Sequence, residues 1–182
     1  LSAQFVKNDQ TNTKLSLNGA KAPGAGILDF TDVEKDTGKK VVSINGFARN
    51  TAITEVIGPD IVSTGMDAMR FCYNLRRVTL SPNLEQLTTS SFAYCTNLVE
   101  FSPLTLPKGI KLVGVSQFQN CSALVGDFVY EGSDPLPGNM FAGSAIRSLK
   151  APNCTELKRG SLSGCRNLTY LSLAEKKDNL II

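Results

Sequence analysis

Five cysteines are the side chains of this sequence best suited to metal binding or nucleophilic work, and histidine, their usual companion, is absent. Without histidine the chain lacks the commonest general base and the Ser-His and Cys-His nucleophile pairs. Zinc ligands usually come in pairs two to four residues apart. Cys72, Cys95, Cys121, Cys154 and Cys165 contain no such pair, so no metal and no cofactor is expected. An odd count would leave one cysteine unpaired, and side chains that repeat in parallel do not converge as a disulfide requires, so all five are expected as thiols. Two carboxylates could still hydrolyse a glycoside. Asp32, Glu34 and Asp36 stand close, but among Lys35, Lys39 and Lys40, the composition of a solvated charged turn. Neither phosphate-cradling glycine pattern is present, and Gly24-Ala25-Gly26 alone does not make one. The expectation is therefore a protein that is not an enzyme. Sequons at Asn120, Asn153 and Asn167 fall at turns, where asparagine commonly bonds its own backbone.

The bulk properties agree with a folded protein. Of 182 residues 42% are hydrophobic and 19% charged, close to globular averages. The net charge is only +3 and the basic residues are scattered, which argues against a nucleic-acid partner. No run approaches the roughly 18 apolar residues of a membrane-spanning helix. The sequence opens at Leu1 without a basic-then-apolar leader; a mature or trimmed chain is expected, with an export signal removed.

Periodicity decides the fold class. A motif of large apolar residue, two spacers, cysteine, two spacers and leucine occurs as Met69 to Leu75, Phe92 to Leu98, Phe118 to Leu124 and Leu162 to Leu168. Degenerate copies run from Phe47 to Ile53, with Asn50 in the cysteine position, and from Phe141 to Ile146, with Ser144 there. Successive members of that position lie 72−50 = 22, 95−72 = 23, 121−95 = 26, 144−121 = 23 and 165−144 = 21 residues apart, inside the window of roughly 20 to 29 for leucine-rich repeats. The second half of the unit recurs too: Ser81-Pro82-Asn83-Leu84 aligns with Ala151-Pro152-Asn153-Cys154, so Cys154 reads as a small core hydrophobe.

Each unit resolves into a short strand such as Arg77-Val78-Thr79-Leu80, a Pro-Asn turn, and an irregular or short helical turn ending at Cys-x-x-Leu. One unit cannot bury its own apolar face; stacked neighbours can. The motif Ser90-Ser91-Phe92-Ala93-Tyr94-Cys95-Thr96-Asn97-Leu98 resembles the BspA-like leucine-rich repeats, whose unit reads phenylalanine, small residue, glycine, cysteine, spacer, asparagine or serine, leucine. The resemblance covers about 41–182. It implies a leucine-rich-repeat solenoid, mainly short β-strands in one parallel sheet with irregular or short helical turns opposite. It also implies a cell-surface or secreted adhesion role of the kind found in bacterial and protozoan proteins, with no catalytic residues.

Residues 1–40 are expected to form an N-terminal β cap, with a strand near Lys14 to Leu17 and a loop from Ala20 to Gly26. The stretch Glu131 to Gly138 departs from the repeat and is expected as an irregular turn. At the other end Lys176 to Asn179 is polar, and Leu180-Ile181-Ile182 suggests a last packed strand or a truncated longer array.

Function is therefore expected on the strand face, where residues alternate outward. The candidates are Arg77, Thr79, Glu100, Ser102, Ser148, Lys150, Tyr170 and Ser172, with Arg77 and Tyr170 foremost because arginine and tyrosine are enriched at hot spots. The expected partner is a protein or glycan at a cell surface. The alternative is a stalk or fibre segment that presents another domain.

Overall fold

The computed structural model describes residues 6–10, 14–18 and 26–175. Lys176 to Asn179, the Leu180 to Ile182 terminus and most of the 20–26 loop lie outside them. The described strands are β1 (Val6–Gln10), β2 (Lys14–Asn18), β3 (Ile27–Asp29), β4 (Lys40–Asn45), β5 (Glu55–Ile57), β6 (Ser63–Thr64), β7 (Arg77–Thr79), β8 (Gln86–Leu87), β9 (Glu100–Ser102), β10 (Thr105–Leu106), β11 (Lys111–Leu112), β12 (Asp127–Tyr130), β13 (Ser148–Ala151) and β14 (Tyr170–Leu173).

The expected parallel stack is realised as three sheets, ordered β1-β2-β4-β6-β8-β11, β3-β5-β7-β9 and β10-β12-β13-β14. Every pairing is parallel except the β1–β2 hairpin, which ends the first sheet. In that sheet β2 and β4 slip by one residue between Leu15 and Ser16. In the second and third sheets register is unshifted from turn to turn, so an inward residue of each strand meets its equivalent: Leu28, Val56, Val78 and Phe101 in one sheet, Phe128, Leu149 and Leu171 in the other. All are buried except Leu171 in the last strand.

The Cys-x-x-Leu segments turn the chain without forming helix. At alternate residues before the cysteine the N–H donates to the next turn: Asp67 to Thr89, Met69 to Ser91 and Phe71 to Ala93. The residues between close tight turns, with Arg70 N bonding Asp67 O and Cys72 N bonding Met69 O. Alternating N–H groups outward in this way requires left-handed backbone just before the cysteine position, at Arg49, Phe71, Tyr94, Asn120, Gly143 and Gly164, with φ between 56° and 71°.

Inside these turns Phe92, Phe118 and Phe141 stack nearly parallel, 5.7 and 5.4 Å between centroids. Ile53, Leu75, Leu98 and Leu124 form a second fully buried column.

All five cysteines are free thiols. Cys72, Cys95, Cys121 and Cys165 each donate to a carbonyl of the preceding turn, Phe47, Met69, Phe92 and Phe141, at 3.0–3.2 Å. A thiol thus supplies one weak bond per turn while filling the core as a small apolar group. Cys165 differs from the buried ladder expected, being only half-buried, because no described turn stacks beyond it. Cys154 is fully buried in the place of Leu84.

Two further expectations are corrected. Asp32, Glu34 and Asp36 lie on a helix, α1 (Phe30–Thr37), and not in a solvated turn. Asp29 caps it by accepting from Thr31 N, Gly38 ends it at φ 68°, and Phe30 and Val33 are buried; the apolar spacing i, i+3 under charged neighbours is an amphipathic signature. Of the three sequon asparagines, Asn153 bonds to the preceding turn and not to its own backbone, as do Asn74 and Asn97 in other turns. Asn74 Nδ2 donates to Thr51 O, Asn97 Nδ2 to Tyr73 O and Asn153 Nδ2 to Glu131 O, at 2.6, 2.6 and 2.9 Å.

The irregular stretch 131–138 carries no strand beyond a single bridge from Leu136 to Leu157. It is anchored all the same: Leu136 is fully buried and Tyr130 Oη donates to Asp134 O.

Candidate functional site

The outward positions of the short strands form rows because the register does not shift along β3-β5-β7-β9 or along β12-β13-β14. One row is Ile27, Glu55, Arg77 and Glu100; the next is Asp29, Ile57, Thr79 and Ser102. Across the face, Asp127, Ser148 and Tyr170 make one row and Val129, Lys150 and Ser172 another. The eight residues expected on the strand face are all there. Arg77, Glu100, Ser102, Lys150 and Tyr170 are exposed, while Thr79, Ser148 and Ser172 are half-buried between neighbours.

The structure brings them together in two groups and separates the groups. Arg77 lies between two carboxylates, its Nε 3.0 Å from Glu100 and its Nη1 3.9 Å from Glu55. Exposed pairs of this kind contribute about 0–1 kcal/mol, so the triad organises the surface more than it stabilises the fold. In the second group Ser148 Oγ donates to Asp127 at 2.8 Å, and Lys150 Nζ lies 5.9 Å from the centre of the Tyr170 ring.

The break between the groups follows β9. Pro103 has no N–H to continue a ladder, and β12 pairs with β10 in place of β9. Gly126, at φ 144°, is the extra residue that moves Asp127 into the row.

A hollow of about 380 Å³ opens at this break, lined by Arg77, Thr79, Glu100, Ser102, Leu104 and Arg147 among others. A second, of about 340 Å³, lies on the other side of Arg77 and Glu100, between Ile27, Glu55, Arg76 and Val99. Both fall near the lower end of ligand-site volumes. Their walls join aliphatic surface, with Ile27, Val99 and Leu104 41–55% exposed, to guanidinium and carboxylate groups. Such a surface can hold a polar partner with an apolar anchor.

Glu55, Asp127 and Arg147 belong to this face and were not among the expected residues. Glu55 was legible, since it stands five positions after Asn50 as Arg77 does after Cys72. Asp127 was hidden by the inserted Gly126, and Arg147 by the shortened copy around Ser144.

Elsewhere, the Glu34 carboxyl is held above its ordinary value, mainly by partial burial, with Asp60 adding and the Val41 N–H opposing. Lys40 pairs with Asp60 at 3.2 Å. Burial pushes the Cys72 and Cys121 thiols up to about 12 and Cys95 well above its usual range. Cys165 is also raised by burial, against its hydrogen bonds from Ser144. These thiols are poor nucleophiles and poor ligands, and among the described residues no group of three or more Cys, Asp or Glu is placed to hold a metal ion. No helix among them is long and apolar enough to cross a membrane.

Comparison with known proteins agrees with this architecture. A family model for the BspA type leucine-rich repeat region matches residues 40–169 in six copies. A leucine-rich repeat protein of T. pallidum superposes with a TM-score of 0.61 at 19% identity, over 93% of this chain and 79% of that one. Another, from Bacteroides ovatus, gives 0.61 at 19% identity over 94% of this chain, which spans only 52% of that protein. At that identity the two establish the fold alone. No curated protein matches the chain.

Proposed function

The chain belongs to the BspA-type leucine-rich repeat family, a class of protein-interaction and structural modules, and on that footing we propose that it is a non-catalytic binding or adhesion module. It recognises a protein or glycan partner through its strand face, at a cell surface or after secretion. Residues 1–40 act as the cap of the array and 41–182 as the recognising solenoid. The observation that carries this reading is the placement of Arg77 and Glu100 between two hollows that combine exposed aliphatic walls with charged groups. Arginine on a face of this kind has the composition of an interaction hot spot, and Tyr170 beside Lys150 repeats that chemistry in the second group.

The test is the combined Arg77→Ala, Glu100→Ala, Lys150→Ala and Tyr170→Ala variant, compared with the parent on a glycan array and in pull-downs against purified surface proteins. Loss of recognition with unchanged thermal unfolding is expected, since outward substitutions cost little stability. Binding equal to the parent's would refute the strand face as the recognition surface.

A further inference from the structure

The left-handed position before each cysteine is occupied by glycine in two turns, Gly143 and Gly164, so the fold itself demands no side chain there. In three consecutive earlier turns it carries Arg49, Phe71 and Tyr94, at φ 66°, 61° and 60°. Bulky residues are disfavoured in that conformation, and a conformational cost accepted three times in succession on one side of the molecule points to a use for the side chains.

They form a column along the solenoid axis. The Arg49 guanidinium lies 4.4 Å from the centre of the Phe71 ring, and Phe71 stacks on Tyr94 at 4.9 Å and 26°. Arg70 fits beside both, 4.7 Å from Phe71 and 5.6 Å from Tyr94, and Tyr73 packs against Phe71 at 5.9 Å. Phe71 is enclosed between Arg49 and Tyr94, so the edge of that ring, the positive end of the aromatic quadrupole, is what the middle of the ridge presents. Two guanidiniums accompany them against one carboxylate: Arg70 reaches Asp67 at 3.7 Å, while exposed Arg49 has no acidic partner within ion-pair distance among the described residues. Arg70 Nε is buried without a hydrogen-bond acceptor among the described residues.

We propose that this turn-side ridge, Arg49–Arg70–Phe71–Tyr94, is a second binding site, taking an acidic polysaccharide that lies along the solenoid axis. An electropositive ridge calls for an anionic ligand. Its chemistry recurs once per turn, about 4.8 Å, whereas an extended peptide advances about 3.3 Å per residue; a chain of pyranoses bearing carboxylate or sulfate groups comes closer to the turn spacing. Single-stranded nucleic acid stacks successive bases on open aromatic faces, and here the central ring, Phe71, is already taken up by Arg49 and Tyr94. The site is on the turns, apart from the strand face proposed above.

The test measures retardation of the purified chain in affinity electrophoresis at low salt with polygalacturonate, dextran sulfate and neutral dextran, with polyglutamate and oligo-dT as competing polyanions. Retardation by polygalacturonate, dextran sulfate or both, and none by dextran, is expected; the two acidic polymers separate carboxylate from sulfate as the preferred group. Arg49→Gly with Tyr94→Gly installs the residue that Gly143 and Gly164 already use, and should weaken binding about tenfold or more, the scale of a lost arginine contact. Arg49→Gln, an exposed single change, should weaken it without altering thermal unfolding. Arg77→Ala with Lys150→Ala should leave it intact, which keeps this result independent of the strand face. The proposal is overturned if neither acidic polysaccharide retards the parent, if the Arg49 variants bind as tightly as the parent, or if polyglutamate or oligo-dT binds as tightly as the polysaccharide.

Discussion

Phe118 is the residue whose removal should cost the fold most. It is fully buried, stacks on Phe92 and Phe141 in the turns on either side, and meets Phe101 at 4.8 Å and 77° and Phe128 at 6.2 Å. Truncating a buried phenylalanine to alanine costs about 3–5 kcal/mol in lost transfer energy and residual cavity. Favourable ring pairs add about 0.5–1.5 kcal/mol each beyond burial, so Phe118→Ala should fall near the top of that range, about 5 kcal/mol. Phe118→Leu keeps most of the apolar volume and loses chiefly the ring pairings, for about 1–3 kcal/mol. Against a total of about 5–15 kcal/mol for a domain, the alanine variant is left marginal. Because a solenoid is held by neighbour-to-neighbour interfaces, weakening a central one should also lower the dependence of stability on denaturant as the two halves uncouple. Urea unfolding followed by far-ultraviolet circular dichroism measures both. A cost below about 2 kcal/mol for Phe118→Ala, or equal costs for alanine and leucine, would refute the assignment of the phenylalanine column as the spine of the array.

Leu98→Ala should cost about 2–5 kcal/mol, since Leu98 is fully buried in the second column; a loss under about 0.5 kcal/mol, the surface scale, would contradict its register. Gly143→Ala should destabilise by roughly 1–2 kcal/mol, because at φ 71° its Cβ would stand 2.5 Å from Asn120 Oδ1, whereas the same change at Gly109, with open space around it, should be near neutral; melting temperatures of the two variants decide it. Thiol titration of native protein should modify Cys165 before Cys72, Cys95 and Cys121, and five thiols should appear on denaturation without reductant; fewer would mean a disulfide. The raised thiols set a pH dependence as well. In the unfolded chain they ionise near pH 9 while Cys72 and Cys121 hold their protons in the fold to about 12, so their contribution is intact below pH 9 and is lost as pH rises through that window. Urea midpoints that stay constant from pH 8 to 11 would contradict it.

The sequence by itself determined the family, the parallel stack and its interior. Its period is carried by residues with no alternative to burial: Met69, Phe92 and Phe118, three residues before Cys72, Cys95 and Cys121, and the leucines three residues after them can be covered only by a copy of the same unit one turn away. The same period assigned the outward row containing Arg77, Glu100 and Tyr170. What tertiary structure decided is where that row is interrupted. The longer step from Cys95 to Cys121 was visible as a number, but whether its extra residues bulge, pair or break the sheet depends on the bonds open to a neighbouring turn. Here Pro103 offers none, β10 takes over the pairing, and one expected face becomes two groups with a hollow between them. The column of Arg49, Phe71 and Tyr94 was equally out of reach, because in the sequence they are separate spacers before a cysteine, over twenty residues apart. A backbone turn held by bonds to the next one sets them a single rise apart, and only that geometry makes them one surface.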